Sequence, residues 1–221
     1  MLLISHPDIQ VADACKNKIE WLAAQLNKTF DTRVMTAEEL QITPMDDESM
    51  IFLAVPMNRR ELQRYLNATR ELRIPYTFLT EPQREPRFEH ILVPVNFLDE
   101  EAEKAQFAAA FGRFCNARIT LMPANDYGSR AARNTQKIAA FLDKFTLSYE
   151  IEKGEKDSFK IEIDAAMQAD HRRADLIIIS ASRDYGLDDL LLGPKERKVV
   201  LKSPVPVMLV NPRGDLYALC D

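Results

Sequence analysis

Glycine is scarce in this chain, with 6 among its 221 residues. The stretch "SASRDYGLDDLLLGPKERKVVLKSPVPVMLV", residues 180–210, has the outline of a phosphate-binding loop that leads into a helix and then a buried strand. Such a loop uses glycine so that backbone N–H groups can come close to a phosphate. The shortage therefore argues against an ordinary phosphate loop at this place.

Cysteine is equally sparse and poorly placed for chemistry. Cys15, Cys115 and Cys220 lie far apart and match no C-x-x-C or Cys/His ligand spacing. The sequence thus signals neither a disulfide framework nor a zinc site. We expect buried or incidental thiols and no bound metal.

Long apolar runs and clusters of positive charge are missing too. No apolar run approaches the roughly 18–20 residues needed to cross a bilayer, and the start "MLLISHPDIQ" has no basic leader. The net charge of -5 and pI near 5.4 come from charges spread through the whole chain, so no basic face stands out. We expect a cytoplasmic protein that binds neither nucleic acid nor membrane.

The chain is rich in short apolar runs of strand length, separated by segments of helical period. The runs are "MLLI", "MIFLAV", "YTFLT", "HILVPV", "RITLM", "DLIIIS" and "VPVMLV". Unbroken runs of this kind suit strands that are buried on both faces. Their alternation with helices predicts an α/β fold with a doubly wound parallel sheet.

The proline-containing linker "TEPQREPRF", residues 80–88, interrupts this alternation just before a fresh strand. We place a domain boundary there, near residue 86. Residues 89–221 then hold a complete five-stranded α/β domain. Residues 1–85 hold a smaller α/β domain.

The two parts show an internal repeat. "ACKNKIEWLAAQLNKTFDTRVMTA" resembles "EAEKAQFAAAFGRFCNARITLMPA", and "RELRIPYTFLTEP" resembles "VVLKSPVPVMLVNP". The first copy has only the segment "EELQITPMDDES" at the place where the second copy has the longer segment 124–173. We interpret residues 1–85 as an abbreviated, degenerate version of residues 89–221.

The second copy resembles a known family. Its blocks "ILVPVNFLDEEAEKAQFAAAFGRFCNARITLMPA" and "LLLGPKERKVVLKSPVPVMLV" are similar to the opening and closing blocks of the universal stress protein (UspA-like) domain. The resemblance implies a fold of the adenine nucleotide alpha hydrolase-like type, in tandem form with an abbreviated N-terminal copy. Domains of this family commonly associate through their last strands. "YTFLT" and "VPVMLV" are therefore expected to pair antiparallel, either within one chain or between two chains.

The resemblance also shows where this chain departs from the family's ATP binders. Those members carry an Asp at the end of the first strand and a loop of the form G-x2-G-x9-G-[ST]. Here the Asp place holds Asn96, the glycine places hold Ser180, Arg183 and Gly193, and the Ser/Thr place holds Pro194. The proline removes a hydroxyl and an N–H donor from the helix start. The resemblance thus implies that the usual ATP site is lost and that no cofactor is bound.

An alternative interpretation keeps a ligand at this place. Arg183, Lys195 and Arg197 bring positive charge to the same loop and helix start, and arginine can clamp a phosphate without glycine. ATP or AMP would then bind an altered phosphate loop. The competing interpretation is that these are solvated charges on the first exposed turn of a helix.

Other candidate chemistry is weak. His6 ends the first strand, where doubly wound proteins often place ligand contacts, whereas His90 opens a strand and His171 ends a helix. None stands beside a Ser or Cys in a nucleophile-elbow context. We interpret Asp99 as a helix N-cap, followed by acidic residues in the first turn. No catalytic residues emerge, so an enzyme is not expected.

Three functional hypotheses follow from the family resemblance. The first is a non-enzymatic stress-response or regulatory protein that acts through protein contacts, including self-association through the last strand. The second is a nucleotide sensor with an altered phosphate loop. The third, a nucleotide hydrolase, ranks last because no nucleophile, metal cluster or acid/base pair is present.

Overall fold

The structure, a computed structural model, describes residues 1–181 and 194–212. The strands among these residues form one sheet in the order β2-β1-β3-β4-β9-β8-β5-β6-β7. Their bounds are β1 (Leu2–Ser5), β2 (Asp31–Val34), β3 (Ile51–Ala54), β4 (Tyr76–Phe78), β5 (His90–Val95), β6 (Arg118–Pro123), β7 (Tyr149–Ile151), β8 (Leu176–Ser180) and β9 (Val207–Val210).

Helices cover both faces of this sheet. Those in the described ranges are α1 (Asp13–Gln25), α2 (Ala37–Ile42), α3 (Arg59–Thr69), α4 (Lys104–Cys115), α5 (Arg130–Asp143), α6 (Ile161–Gln168) and α7 (Lys195–Lys202), with a 3₁₀ helix, Asp99–Glu103, before α4. The predicted doubly wound α/β fold is confirmed. Within residues 1–181 and 194–212, no helix has both the length and the apolarity to cross a membrane.

The apolar strands build two core layers, one on each face of the sheet. In β5, Ile91 packs on the face of α4 and α5, while Leu92 packs on the face of α6 and α7. Because successive side chains of a strand point to opposite faces, an uninterrupted apolar run serves both layers. Each layer contains residues of both halves of the sheet, for example Leu53 with Leu92 and Phe52 with Ile91.

The two halves of the sheet meet at an antiparallel joint. β4 pairs with β9, with Tyr76 opposite Leu209 and Phe78 opposite Val207, whereas the other strand pairs are parallel. The Asn211 side chain locks the joint, since its Oδ1 accepts a hydrogen bond from the Tyr76 hydroxyl at 3.0 Å. The antiparallel pairing expected from the sequence is therefore present within one chain. Both edges of β9 are occupied, by β4 and β8.

The N-terminal half contains a short helix that the sequence analysis missed. The sequence predicts only a shortened connection at "EELQITPMDDES", yet α2 begins one residue before this segment, extends into it and packs on α3. Its start is a capping box, in which Glu39 N–H donates to the Thr36 hydroxyl at 3.3 Å and Thr36 N–H donates to Glu39 at 2.7 Å. The Thr36-x-x-Glu39 spacing was the signal for this helix.

Several helices end without the usual glycine. Asn27, Asn116, Thr146 and Arg173, which follow α1, α4, α5 and α6, have positive φ angles of 52°, 54°, 56° and 54°. Glycine is the common residue at such left-handed positions because it has no Cβ to clash. The shortage of glycine therefore places backbone strain at the helix ends.

Candidate functional site

The predicted ligand-site residues lie where two neighbouring parallel strands end. Asn96 follows β5 and Ser180 ends β8, and both are buried. Pro194 precedes α7 and Lys195 is its first residue. The other two predicted positions, Arg183 and Gly193, lie outside the described residues.

Asn96 is held by hydrogen bonds to neighbouring residues of the protein. Its backbone N–H donates to Oε2 of Glu101 at 2.7 Å, and its Oδ1 accepts from Leu98 N–H at 2.8 Å. Its carbonyl accepts from the Asn134 amide at 3.1 Å. The expected N-cap role of Asp99 is wrong, because Leu98 holds the position before the 3₁₀ helix and no side chain caps it.

Glu162 joins Asn96 to Lys195. Its Oε1 accepts from the Asn96 amide at 3.2 Å, and its Oε2 lies 2.7 Å from the Lys195 ammonium. Glu162 is only 2% exposed, and burial raises the pKa of its carboxyl although the Lys195 ammonium opposes the shift. Two of the predicted site residues are thus tied together by a buried carboxylate.

A second buried ion pair lies beside the first. Lys104, on α4, is 2.7 Å from Oε2 of Glu101, and both side chains are fully buried. The Lys104 ammonium also donates to the carbonyl of Pro94 in β5. The proline ring leaves this strand without one backbone donor but keeps the carbonyl, which here accepts from the lysine.

The positive charge of Lys195 forms an ion pair with the Glu162 carboxylate. Burial disfavours its charged form, but the Glu162 carboxylate outweighs burial and holds the pKa of Lys195 above its ordinary value. The ammonium is therefore positive and already paired. The Lys195 side chain is not fully buried, since 24% of it is exposed.

The described residues include no metal-binding cluster, and the three histidines lie in separate places. In residues 1–181 and 194–212, no three His, Cys, Asp or Glu side chains are grouped so as to hold a metal ion. His6 accepts a hydrogen bond from Asp8 N–H at 3.0 Å, and its ring contacts Tyr65 edge-on. His171 is exposed, and His90 is buried at the opposite edge of the C-terminal half of the sheet.

Three cavities lined by described residues lie away from Asn96 and Lys195. One of about 140 Å³ lies between the linker and Pro204–Pro206. Another, of about 420 Å³, lies between the ends of α4 and α5 and the starts of β6 and β7. The third, of about 240 Å³, lies beside β2.

Sequence reasoning missed the residues that hold this network together, namely Glu101, Lys104, Asn134 and Glu162. Glu101 was assigned to an acidic first turn, although its spacing of three from Lys104 was a signal for an ion pair. Glu162 stands with Asp164 in the otherwise apolar run "IEIDAAM", where carboxylates among apolar residues suggest buried partners. Its partners Asn96 and Lys195 are distant in sequence and could not be read from spacing.

The sequence matches a model described as the universal stress protein family over residues 87–211. The chain belongs to the universal stress protein family. This match covers the C-terminal half of the sheet, with the buried network and the start of α7. No curated protein matches the chain.

Solved structures agree with this universal stress protein fold. A universal stress protein from Archaeoglobus fulgidus DSM 4304 is 13% identical, with 97% of this chain and 88% of that chain covered and a TM-score of 0.60. A protein of unknown function from Pseudomonas aeruginosa PAO1 is 14% identical, with 99% and 84% covered and a TM-score of 0.58. Both cover nearly the whole chain and not only the family segment.

A universal stress protein in complex with cAMP matches a shorter part of the chain. It is 19% identical, with 56% of this chain and 96% of that chain covered and a TM-score of 0.45. Its similarity is too low for a comparison of ligand contacts.

Proposed function

We propose that this universal stress protein is a non-enzymatic regulatory protein of the stress response, which acts through protein contacts and lacks the family's usual ATP site. The network of Asn96, Glu162 and Lys195 carries this proposal. It stands where the resemblance implies the nucleotide, and Glu162 accepts a hydrogen bond from Asn96 through one oxygen while its other oxygen lies against the Lys195 ammonium. A nucleotide would have to break these contacts before it made its own.

Electrostatics also oppose a phosphate at this place. Glu101 and Glu162 are buried carboxylates, and each is paired with a lysine. The two pairs balance each other's charges, so these four side chains leave no net positive charge to attract an anion. Pro194 supplies no N–H at the start of α7 to compensate. These features of the described residues support the proposed loss of the nucleotide site.

Exposed aromatic side chains support a role in protein contacts. Trp21 on α1, Phe114 on α4 and Phe145 after α5 are 39%, 42% and 44% exposed on neighbouring helices. Lys18 lies 3.9 Å from the centre of the Trp21 ring, and Arg113 lies 5.2 Å from that of Phe114. Aromatic residues and arginine are enriched at protein interfaces.

We further propose that residues 1–85 are an abbreviated copy that takes the place of a second domain. The strand order supports this, because β4, β3, β1 and β2 on one side of the joint correspond to β9, β8, β5 and β6 on the other. β7 has no counterpart in residues 1–85. Because β9 already pairs with β4, we expect partners to dock elsewhere than on the last strand.

Calorimetric titration with MgATP, ADP and AMP tests the loss of the ATP site. We expect no heat at millimolar nucleotide for the wild-type chain. Micromolar binding that weakens in Arg183→Ala, but not in the matched Arg59→Ala variant at the start of α3, would favour the nucleotide sensor instead. Turnover of bound nucleotide would favour the hydrolase.

Photo-crosslinking in cells tests the protein contacts and their location. A photoreactive residue at position 114 should give a discrete crosslinked species, whereas the same residue at Ile42, which is 81% exposed on α2, should give none. Equal products at both positions would contradict a specific interface. Fractionation of the same cells tests the cytoplasmic location that we propose.

A further inference from the structure

His90 is a buried histidine whose ring has more partners than it can satisfy at once. It opens β5, is 6% exposed, and has Nε2 2.8 Å from the hydroxyl of Thr120. Its Nδ1 faces two groups, the carbonyl oxygen of Arg173 at 3.1 Å and Nη2 of Arg118 at 2.9 Å. Both distances are within hydrogen-bond range.

The two partners of Nδ1 require opposite states of the ring. A guanidinium only donates, so the contact with Arg118 needs a bare lone pair on Nδ1. A carbonyl only accepts, so the contact with Arg173 needs a proton there. One hydrogen bond therefore excludes the other.

Thr120 allows either state, because a hydroxyl both donates and accepts. When Nε2 carries a proton, it donates to the Thr120 oxygen. When Nε2 is bare, the Thr120 hydroxyl can donate to it. Thr120 is buried in β6, so this contact stays in place while the partner of Nδ1 changes.

We infer that His90 is a proton-operated switch that holds Arg118 when neutral and releases it when protonated. In the neutral state Nε2 carries the proton, and Nδ1 accepts a charge-assisted hydrogen bond from Arg118. A proton added at Nδ1 is donated to the Arg173 carbonyl, and the Arg118 guanidinium is displaced. No other proton has to move.

Charges from three strands surround the ring. Arg118 comes from β6 and Glu150 from β7, and Asp175 lies at the start of β8 and accepts the backbone N–H of His90 at 3.0 Å. Burial lowers the pKa of His90; Arg118 adds to this effect, whereas the Arg173 carbonyl, Asp175 and Glu150 oppose it. The neutral ring is thus the form present at neutral pH.

The released guanidinium changes the cavity of about 420 Å³ described above. Arg118 and Glu150 both line that cavity, together with Asn116, Ser148 and Leu147. While His90 holds Arg118, one of the arginine donors is in use. After release, its full fork of donors faces the cavity, where it can bind a carboxylate or phosphate bidentately. Acidification therefore switches the cavity toward anionic ligands.

NMR of the ¹⁵N-labelled full chain tests the switch. At neutral pH, long-range ring correlations should show His90 protonated at Nε2 and bare at Nδ1. On acidification, the ring titration and a change in the Arg118 guanidinium signals should share one midpoint. His171, which is exposed, gives ring signals in the same spectra that serve as the internal reference.

Arg118→Ala should raise the midpoint of His90 and move the neutral proton toward Nδ1, since only the Arg173 carbonyl remains. The matched variant Arg113→Ala, which removes an exposed arginine from α4, should change neither. A wild-type ring that is protonated at Nδ1 at neutral pH would overturn the inference. So would an unchanged tautomer and midpoint in Arg118→Ala.

Discussion

The helix that ends before Thr146 closes with a backbone turn normally built with glycine. Leu147 N–H donates to the carbonyl of Leu142 at 3.2 Å, and Thr146 N–H donates to that of Asp143 at 3.0 Å. These two bonds define a Schellman motif with Thr146 at its left-handed position, where φ is 56°. Threonine is poorly suited to this place because its branched Cβ crowds the backbone. We predict that Thr146→Gly stabilises the protein.

The expected gain follows from two opposing contributions. A non-glycine residue in the left-handed region costs roughly 1–2 kcal/mol, which the substitution removes. Glycine adds back about 0.5–1 kcal/mol through the extra freedom of the unfolded chain. Thr146 is exposed, so little packing is lost. The free energy of unfolding should therefore rise by about 1 kcal/mol, and Tm by about 2–4 °C for a chain of this size.

Urea unfolding with an unchanged m value, together with a thermal melt, measures this gain. Asn116→Gly serves as one control, because asparagine tolerates the left-handed region and should gain little. Ser148→Gly serves as the other, and it should lose about 0.5–1 kcal/mol because it only adds freedom to the unfolded chain. A Thr146→Gly variant no more stable than wild type would refute the reasoning.

Three further predictions concern buried polar groups. Lys195→Met should lower the free energy of unfolding, measured in urea, by about 3 kcal/mol, because it leaves Glu162 buried without its ion pair. The double variant Lys195→Met with Glu162→Leu should recover much of this loss. An equal loss in the double variant would contradict the prediction. Thr77→Val should raise the free energy of unfolding by about 1 kcal/mol, since the Thr77 hydroxyl is buried with no hydrogen-bond partner among the described residues. A lower free energy of unfolding would show that this hydroxyl is hydrogen-bonded. His90 has a lowered pKa, so the unfolded chain binds its proton more readily, and stability should fall as pH drops below about 6.5. His90→Gln should lose less stability between pH 7 and 5 than wild type, and parallel pH curves would argue against this origin.

The strands were predictable because each signal is local. "HILVPV" and "DLIIIS" are apolar apart from residues at their ends, and β5 and β8 fall inside them. The antiparallel joint was also predictable, since the resemblance pointed to the last strands and "YTFLT" ends a block similar to that of "VPVMLV". The choice between one chain and two required the structure, because strand pairing depends on where the linker lets the halves meet.

The buried charges were not predictable from local pattern. A lysine at a helix start, such as Lys195, is ordinarily solvated, and only the carboxylate of Glu162 from another helix makes it a buried ion pair. The same applies to Lys104, whose carbonyl partner Pro94 belongs to a neighbouring strand. Pairing of this kind depends on tertiary contacts. The sequence could therefore predict that Asn96 and Lys195 lie near one another but not the network that joins them.

The antiparallel joint between β4 and β9 also determines how the joined sheet depends on the concentration of the protein. An association between separate subunits weakens on dilution, whereas two segments of one chain meet at an effective concentration on the order of millimolar whatever the amount of protein. The joined sheet should thus persist at any expression level. Because strand direction reverses at the joint, the carboxyl ends of β1 and β3 lie at the edge opposite to those of β5 and β8. Because the two halves are different segments of one chain, substitutions near His6 and near Asn96 can accumulate independently. Two identical subunits would not permit this, since every substitution would occur in both.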